Sequence, residues 1–320
     1  MILFETEAPT EHVTIEYTVP EGMDLSAYVP RNSIILAIAS LIIVLAAIII
    51  LFAVVWKKQK GTLFGVIGGI CAYVMFYNMA INAVNNILFM TVFKSFANNK
   101  YAVPLIVGLM CGTLPILGRM LMMKLFNANM KYVRDGLSHG IGIMGTEGAM
   151  SVTNFFFAIV TSNTINSMGL EKLLNNELAA EGATAETATN LLNQAFEIIN
   201  YDAAMYIYFA IITIILMVFH VAASIPLYAA YKNDEPKYWY LITMGAYTLV
   251  SITKFYGDNK VIPVVLSIIL MLIFTAAFSF FAVKIYMKHY KDEHPVDKKP
   301  QKSAPAEKKK MPKFENLSNL

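Results

Sequence analysis

Residues 136–150, GLSHGIGIMGTEGAM, place a histidine and a glutamate inside a stretch that otherwise consists of apolar and small residues. Five positions recur at intervals of four and three and therefore share one face of a helix: His139, Ile143, Glu147, Met150 and Asn154. A carboxyl group in such a stretch has two uses. It pairs with a polar group on a neighbouring helix, or it transfers protons in a water-filled cavity.

Two further ionisable residues lie at a similar depth in neighbouring apolar stretches. Counting about 1.5 Å per residue from the predicted cytoplasmic ends places Glu147 and His220 roughly 15 Å deep and Arg119 about 10 Å deep. The three are therefore candidates for one catalytic site. His139 lies about 12 Å along the helix axis from Glu147 and cannot contact it directly. A satisfied buried pair that fixes helix packing and a polar reaction chamber remain equal interpretations.

Asparagines on a second apolar stretch extend the set of polar residues. Asn78 and Asn82 lie four residues apart and share a helix face. Hydrogen bonds between helices are the simpler explanation of this pattern. With Asn154 and His139, they are the residues that we expect to line a substrate or partner cavity.

The sequence predicts neither a metal site nor another cofactor. A catalytic zinc takes three protein ligands, and the chain contains no H-E-x-x-H motif. Cys71 and Cys111 lie in apolar stretches, where we expect them to act as packing residues. The net charge of +3 gives no reason to expect a nucleic-acid partner. The expected partners are membrane lipids and membrane proteins or peptides.

Membrane helices must position these residues, because 57% of the 320 residues are hydrophobic and 15% are charged. Apolar runs that can cross a hydrocarbon core of about 30 Å follow one another along the chain. They predict an all-α, multi-pass protein of the cell membrane with about seven transmembrane helices. The predicted spans are 33–56, 63–93, 102–126, 137–162, 204–231, 238–256 and 261–287.

The charge distribution predicts the orientation and the domain organisation. Residues 1–30 contain acidic residues but no lysine or arginine, whereas basic loops follow the first and third spans. Because basic loops stay in the cytoplasm, we expect the N-terminus outside and the C-terminus inside. Residues 31–288 then form the transmembrane domain, with an outer loop at 163–203 that is either a connecting hairpin or a lid. Residues 289–320 form a disordered, lysine-rich cytoplasmic tail.

Three segments carry a resemblance to a known family: CGTLPILGRMLMMKLF, VRDGLSHGIGIMGTEGAM and FHVAASIPLYAAYK. From about residue 60 to 255, the chain resembles the YhfC family of glutamic-type intramembrane proteases. The family has a glutamate pair before a Gly-Arg, a Gly-Ile-Gly-His-Gly-Gly-x-Glu segment and later histidines. The resemblance implies that a glutamate activates water while histidines bind or polarise the scissile carbonyl. The matching residues are Gly118, Arg119, Gly140, Ile141, Gly142, Gly145, Glu147 and His220.

The chain departs from this pattern where the chemistry would be done. Pro115 and Ile116 stand where the family has its glutamate pair, and Ile143 stands where it has the glycine-flanked histidine. The histidine of the last matching span is replaced at or near Tyr247. Neither proline nor isoleucine can take a proton from water. The resemblance therefore implies a protease fold with an incomplete catalytic set.

The favoured function is that of a non-catalytic relative that binds a partner or assembles a membrane complex. The first alternative is a divergent intramembrane endopeptidase that uses Glu147 as base, His220 to polarise the carbonyl, and Arg119 beside them. The second alternative is a subunit of a transporter complex, which would be identified by co-purification of stoichiometric partners.

Overall fold

A computed structural model describes residues 24–59, 62–178 and 184–293, and every regular element within these ranges is helical. The longer elements are α1 (Arg31–Gln59), α2 (Leu63–Ala72), a π-helical segment (Tyr73–Ala80), α3 (Ile81–Met90), α4 (Ala102–Leu125), α5 (Val133–Met168), α6 (Leu170–Leu178), α7 (Ala185–Ile199), α8 (Ala203–Lys232), α9 (Tyr238–Asp258) and α10 (Val264–Glu293). The all-α prediction is confirmed. Most of the predicted N-terminal segment and of the predicted tail lies outside the described residues, and helix α10 continues five residues into that tail, to Glu293.

Six segments of the described chain are long and apolar enough to cross a membrane, which confirms the prediction of a multi-pass membrane protein. They are Arg31–Val55, Leu63–Met90, Ala102–Leu125, Val133–Met168, Ala203–Lys232 and Val264–Tyr290. The seventh predicted span, 238–256, corresponds to α9. It is not among the six, because charged and polar residues such as Lys254 make it less apolar.

Helix α9 nevertheless runs between the two ends of the bundle. At one end, Lys260 Nζ lies 3.7 Å from Asp202 Oδ2, which joins the residues after α9 to the start of α8. At the other end, Lys288 Nζ lies 2.7 Å from Glu235 Oε1 in the α8–α9 turn. We call the first the α7 end, because α7 also lies there, and the second the opposite end.

Helix α8 is the centre of the bundle. In its most apolar window, 78% of the residues are buried, because α1, α5, α9 and α10 all pack against it. Such a helix needs apolar residues on every side, and its sequence supplies them. Asp202 caps its start by accepting a hydrogen bond from the Ala204 amide at 3.1 Å. Asn233 ends it with a left-handed backbone at φ 68°.

Glycines allow α2 and α5 to approach until their backbones touch. A Cβ atom on Gly142 would overlap the Val66 carbonyl oxygen, and one on Gly69 would overlap the His139 carbonyl oxygen. Small residues favour such close crossings in membranes. This contact fixes the position of α5, and therefore of Glu147, relative to the first half of the chain.

The predicted outer loop contains α6 and α7, after an α5 that continues to Met168. Helix α7 buries Ala188, Leu192 and Ala195. Asn166, near the end of α5, donates to the Val29 carbonyl at 2.9 Å and accepts from its amide at 2.7 Å. The segment that precedes α1 is thereby tied to α5 beside α6 and α7.

Candidate functional site

Arg119 of α4 is the largest fully buried side chain at the centre of the site. Its Nη1 atom donates to the His220 carbonyl at 3.1 Å and to Ser224 Oγ at 2.9 Å. Its Nη2 atom donates to His220 Nδ1 at 2.9 Å and also contacts the Tyr247 hydroxyl. A cation that is removed from water needs such partners. Here they are neutral groups of α8 and α9, and none is a carboxylate.

The arginine determines which ring nitrogen of His220 carries a proton. A guanidinium group can only donate, so the Nδ1 atom that it binds must accept. Tyr247 lies against the same nitrogen. In the neutral ring the proton is then on Nε2, which lies 3.6 Å from Glu147 Oε2. His220 therefore presents an N–H group to Glu147.

Glu147 is brought to His220 by α5, as the depth argument from the sequence predicted. Its side chain is 15% exposed, whereas that of His220 is 1% exposed. The glutamate thus lies at the boundary between the buried cluster and open space. Arg119 forms no ion pair with it, because the guanidinium group is directed at α8 and α9.

Tyr73 and Tyr77, which the sequence analysis missed, come from the π-helical segment. Their rings stack with centroids 5.1 Å apart and planes 6° from parallel, and the Tyr77 ring meets His220 edge-on at 5.3 Å. Such π-helical segments are rare but are frequently found at functional sites. The Tyr-x3-Tyr spacing was the available signal, but nothing in the sequence predicted the π-helix.

Two cavities meet at Glu147 and Lys254, which line both. The asparagine cavity, of about 280 Å³, is lined by Tyr73, Tyr77, Asn82, Asn85, Glu147, His220, Tyr247, Lys254 and their neighbours. The aromatic cavity, of about 470 Å³, is lined by Glu147, Asn154, Phe155, Glu197, Tyr201, Tyr206, Phe209, Lys254 and their neighbours. Because Glu197 and Tyr201 are at and just beyond the last turn of α7, the aromatic cavity lies toward the α7 end.

The predicted cavity residues are divided among three places. Asn82 lines the asparagine cavity and donates to Asn78 Oδ1 at 3.2 Å, so Asn78 supports it from the same face. Asn154 lines the aromatic cavity. His139 lines neither: it is fully buried at the α2–α5 crossing, where its ring lies beside Gly68. Lys254 lines both cavities but was not among the predicted site residues.

The positions that depart from the family pattern lie in different surroundings. Ile116 and Ile143 are fully buried in apolar clusters. Tyr247, in contrast, lies in the site itself, in contact with both Arg119 and His220.

Comparison with known protein families identifies one match. A family model described as YhfC intramembrane metalloprotease matches residues 41–274. The searches of curated proteins and of solved structures found no match. The description differs from the glutamic-type chemistry that the resemblance implied, because it names a protease that depends on a metal ion.

The described residues do not fit a catalytic metal ion. A zinc protease site supplies three protein ligands, but no group of three His, Cys, Asp or Glu residues comes together in the described ranges. Glu147 and His220 are only two donors, and the Nε2 atom that faces Glu147 carries the ring proton. Metal-binding histidines direct their other nitrogen at a carboxylate or carbonyl acceptor. In this chain that nitrogen meets a guanidinium donor.

Proposed function

We propose that this chain, which belongs to the YhfC intramembrane metalloprotease family, is a non-catalytic member that binds a membrane-protein or peptide partner. The binding site is the cleft formed by the asparagine and aromatic cavities. The role is to hold a partner segment at membrane depth, or to assemble it into a complex, without cutting it.

The contact between Arg119 and His220 Nδ1 is the observation that carries the proposal. It places a fixed positive charge beside the histidine that would have to bind a metal cation, and it uses the lone pair of Nδ1. The nitrogen that remains is an N–H donor. The donor set therefore suits hydrogen bonding to a ligand better than metal coordination.

Unpaired polar atoms in the asparagine cavity support a binding role. Within the described residues, His220 Nε2 and Asn85 Oδ1 are buried and have no hydrogen-bond partner. Such atoms destabilise a structure unless something pairs with them. A peptide segment in a membrane could pair with these atoms, since each of its own carbonyl and N–H groups requires a hydrogen-bond partner.

A divergent endopeptidase is the second candidate, and the partial exposure of Glu147 favours it. In that reaction Glu147 takes a proton from water while the His220 N–H group polarises the carbonyl. The N–H group would then have to turn from Glu147 to the substrate. Loss of cleavage in Glu147→Ala distinguishes this candidate from the binding role.

The proposal also includes an orientation, with the α7 end outside and the opposite end in the cytoplasm, as the basic loops predict. A single cysteine at the exposed Asn176, in a chain with Cys71 and Cys111 replaced by alanine, tests it. A membrane-impermeant maleimide should label intact cells at this position. Labelling only after the cells are opened would reverse the orientation.

Metal analysis of the purified chain tests the non-catalytic role. After incubation with zinc chloride and desalting, we expect less than about 0.1 zinc per chain, because two donors do not hold the ion. Glu147→Ala and His220→Ala should give the same value. About one zinc per wild-type chain, lost in both variants, would contradict the proposal.

A further inference from the structure

We propose that the aromatic cavity is a binding site for a small organic cation that carries an ammonium group. The cavity has a volume of about 470 Å³ and extends from Glu147 to the end of α7. A water molecule occupies about 30 Å³ of liquid, so the space accommodates an organic molecule of several heavy atoms.

The charges of the lining favour a cation. Glu147 and Glu197 both line the cavity, and within the described residues neither forms an ion pair with a lysine or arginine. The lining contains one cation, Lys254, whose Nζ atom lies 2.6 Å from Asp258 Oδ2 and is therefore already paired. A positive ligand would form the direct charge pair that neither carboxylate has with a lysine or arginine of the described chain.

The surroundings of His220, on the buried side of the site, give a second reason to expect a positively charged ligand. His220, 1% exposed, presents an unpaired Nε2 atom 3.6 Å from Glu147 Oε2. Its ring carries no compensating charge, because Nδ1 accepts from Arg119. The carboxylate thus has a neutral N–H group 3.6 Å away on one side and lines the cavity on the other. This arrangement leaves the charge of Glu147 for a ligand.

Aromatic rings form another part of the cavity lining. Tyr201 and Tyr206 lie with ring centroids 4.7 Å apart, and Phe155 meets Tyr206 at 6.3 Å. Phe209 also lines the cavity. The faces of aromatic rings attract ammonium groups, and such cages are how proteins recognise alkylated amines.

The same features disfavour a metal ion or an anionic ligand. The described residues contain no group of three metal-ligating side chains. A phosphate group would need a free cation, but Lys254 is held by Asp258. A free amine therefore fits the cavity better than a zwitterionic lipid, although a phosphatidylethanolamine headgroup carries the same ammonium chemistry.

This inference shares Glu147 with the proposed partner-binding cleft but does not depend on that proposal. Binding of a cation is measured without metal, substrate or cleavage. If the chain cleaves peptides, the proposed non-catalytic role fails, but the chain can still bind the cation. If the chain binds no cation, the cation site fails, but the chain can still be non-catalytic. The failure of one proposal is therefore distinguishable from the failure of the other.

Calorimetric titration of the full chain in the non-ionic detergent dodecyl maltoside tests the site. The probe is n-butylammonium chloride, and butan-1-ol is the neutral probe with the same number of heavy atoms. We expect saturable binding of the amine alone. Equal binding of the alcohol would overturn the proposal, because the cavity would then select only for apolar character.

Three charge-removing variants locate the binding. Glu147→Gln should weaken the amine about tenfold, and Glu197→Gln, on the exposed surface of α7, about threefold. Glu171→Gln removes an exposed charge on α6 that does not line the cavity and should change nothing. Unchanged affinity in both Glu147→Gln and Glu197→Gln would overturn the site. Because Glu197 is exposed, its variant remains informative if Glu147→Gln does not fold.

Competition identifies the source of the ammonium group. Addition of phosphatidylethanolamine, with phosphatidylglycerol as the matched lipid without an amine, should leave butylammonium binding unchanged if the ligand is a free amine. Displacement by phosphatidylethanolamine alone would support the ammonium site and assign it to a lipid headgroup. Displacement by both lipids would overturn the site, since the amine would not be what is recognised.

Discussion

Helix α5 carries two ionisable residues that are eight positions apart, and the structure gives them opposite surroundings. His139 lies in the tight α2–α5 crossing, where both ring nitrogens are buried and have no hydrogen-bond partner among the residues that the structure describes. Glu147 lies where two cavities meet and faces an N–H group of His220. Two polar residues on one face of a membrane helix can therefore have very different surroundings. The surroundings of such a residue depend on whether the neighbouring helix supplies glycines or polar groups.

The largest loss of folding stability should come from substitution of a glycine in the tight α2–α5 crossing. Gly142→Ala places a Cβ atom against the Val66 carbonyl, whereas Gly145→Ala meets nothing within 4 Å. We expect the first to destabilise the protein by about 3 kcal/mol and the second to be neutral or slightly stabilising. Thermal unfolding of the two variants in detergent measures both. Equal stability would show that α2 and α5 are not in backbone contact.

A somewhat smaller effect is expected at Arg119. Arg119→Leu removes the guanidinium donor from Ser224 Oγ and the Tyr247 hydroxyl, while the His220 carbonyl keeps the Ser224 hydroxyl as a donor, and the loss should cost about 2–3 kcal/mol. Arg119→Lys keeps the charge but not the forked geometry and should lie between this variant and the wild type. Unfolding midpoints provide the test. An Arg119→Leu variant as stable as Arg119→Lys would mean that the hydrogen bonds contribute nothing.

Substitution of His139 and His220 tests the contrast between the tight α2–α5 crossing and the polar site around Glu147. His220→Leu should lower stability by about 2 kcal/mol, because it leaves Arg119 with a missing partner. His139→Leu removes no hydrogen bond found in the described residues and should change stability by less than about 1 kcal/mol. If His139→Leu were the more damaging variant, its surroundings would have to contain a polar partner.

The smallest effect is expected outside the membrane, at the opposite end. Burial raises the pKa of Glu235, but hydrogen bonds from Lys288 and His289 outweigh it and hold the pKa below its ordinary value. A lowered pKa stabilises the fold at neutral pH, and this contribution is lost as the pH falls through the folded-state pKa. Glu235→Gln should therefore lower the unfolding temperature at pH 7 by about 1–2 °C, and this difference should shrink as the pH falls through the folded-state pKa of Glu235. A pH-independent difference would exclude this ion pair as its cause.

The sequence predicted those features that depend on apolar length and helical periodicity. The all-α membrane bundle and the approach of Glu147, His220 and Arg119 to one layer followed from them. Tyr73 and Tyr77 were missed because the π-helical segment that carries them has no signal in apolar length or helical periodicity. His139 was grouped with Glu147 because periodicity gives the face of a helix, but not what packs against it. Lys254 was overlooked in a span that sequence alone ranked as the weakest.

Cleavage of a single-span membrane substrate by the full chain in lipid, beside a Glu147→Ala control, tests the non-catalytic role most directly. We predict no cleavage product from either protein, because the buried cluster supplies two donors where a metal site needs three and ties His220 to Arg119. Robust cleavage by the wild type that disappears in Glu147→Ala would contradict this account and establish Glu147 as the base of an active protease.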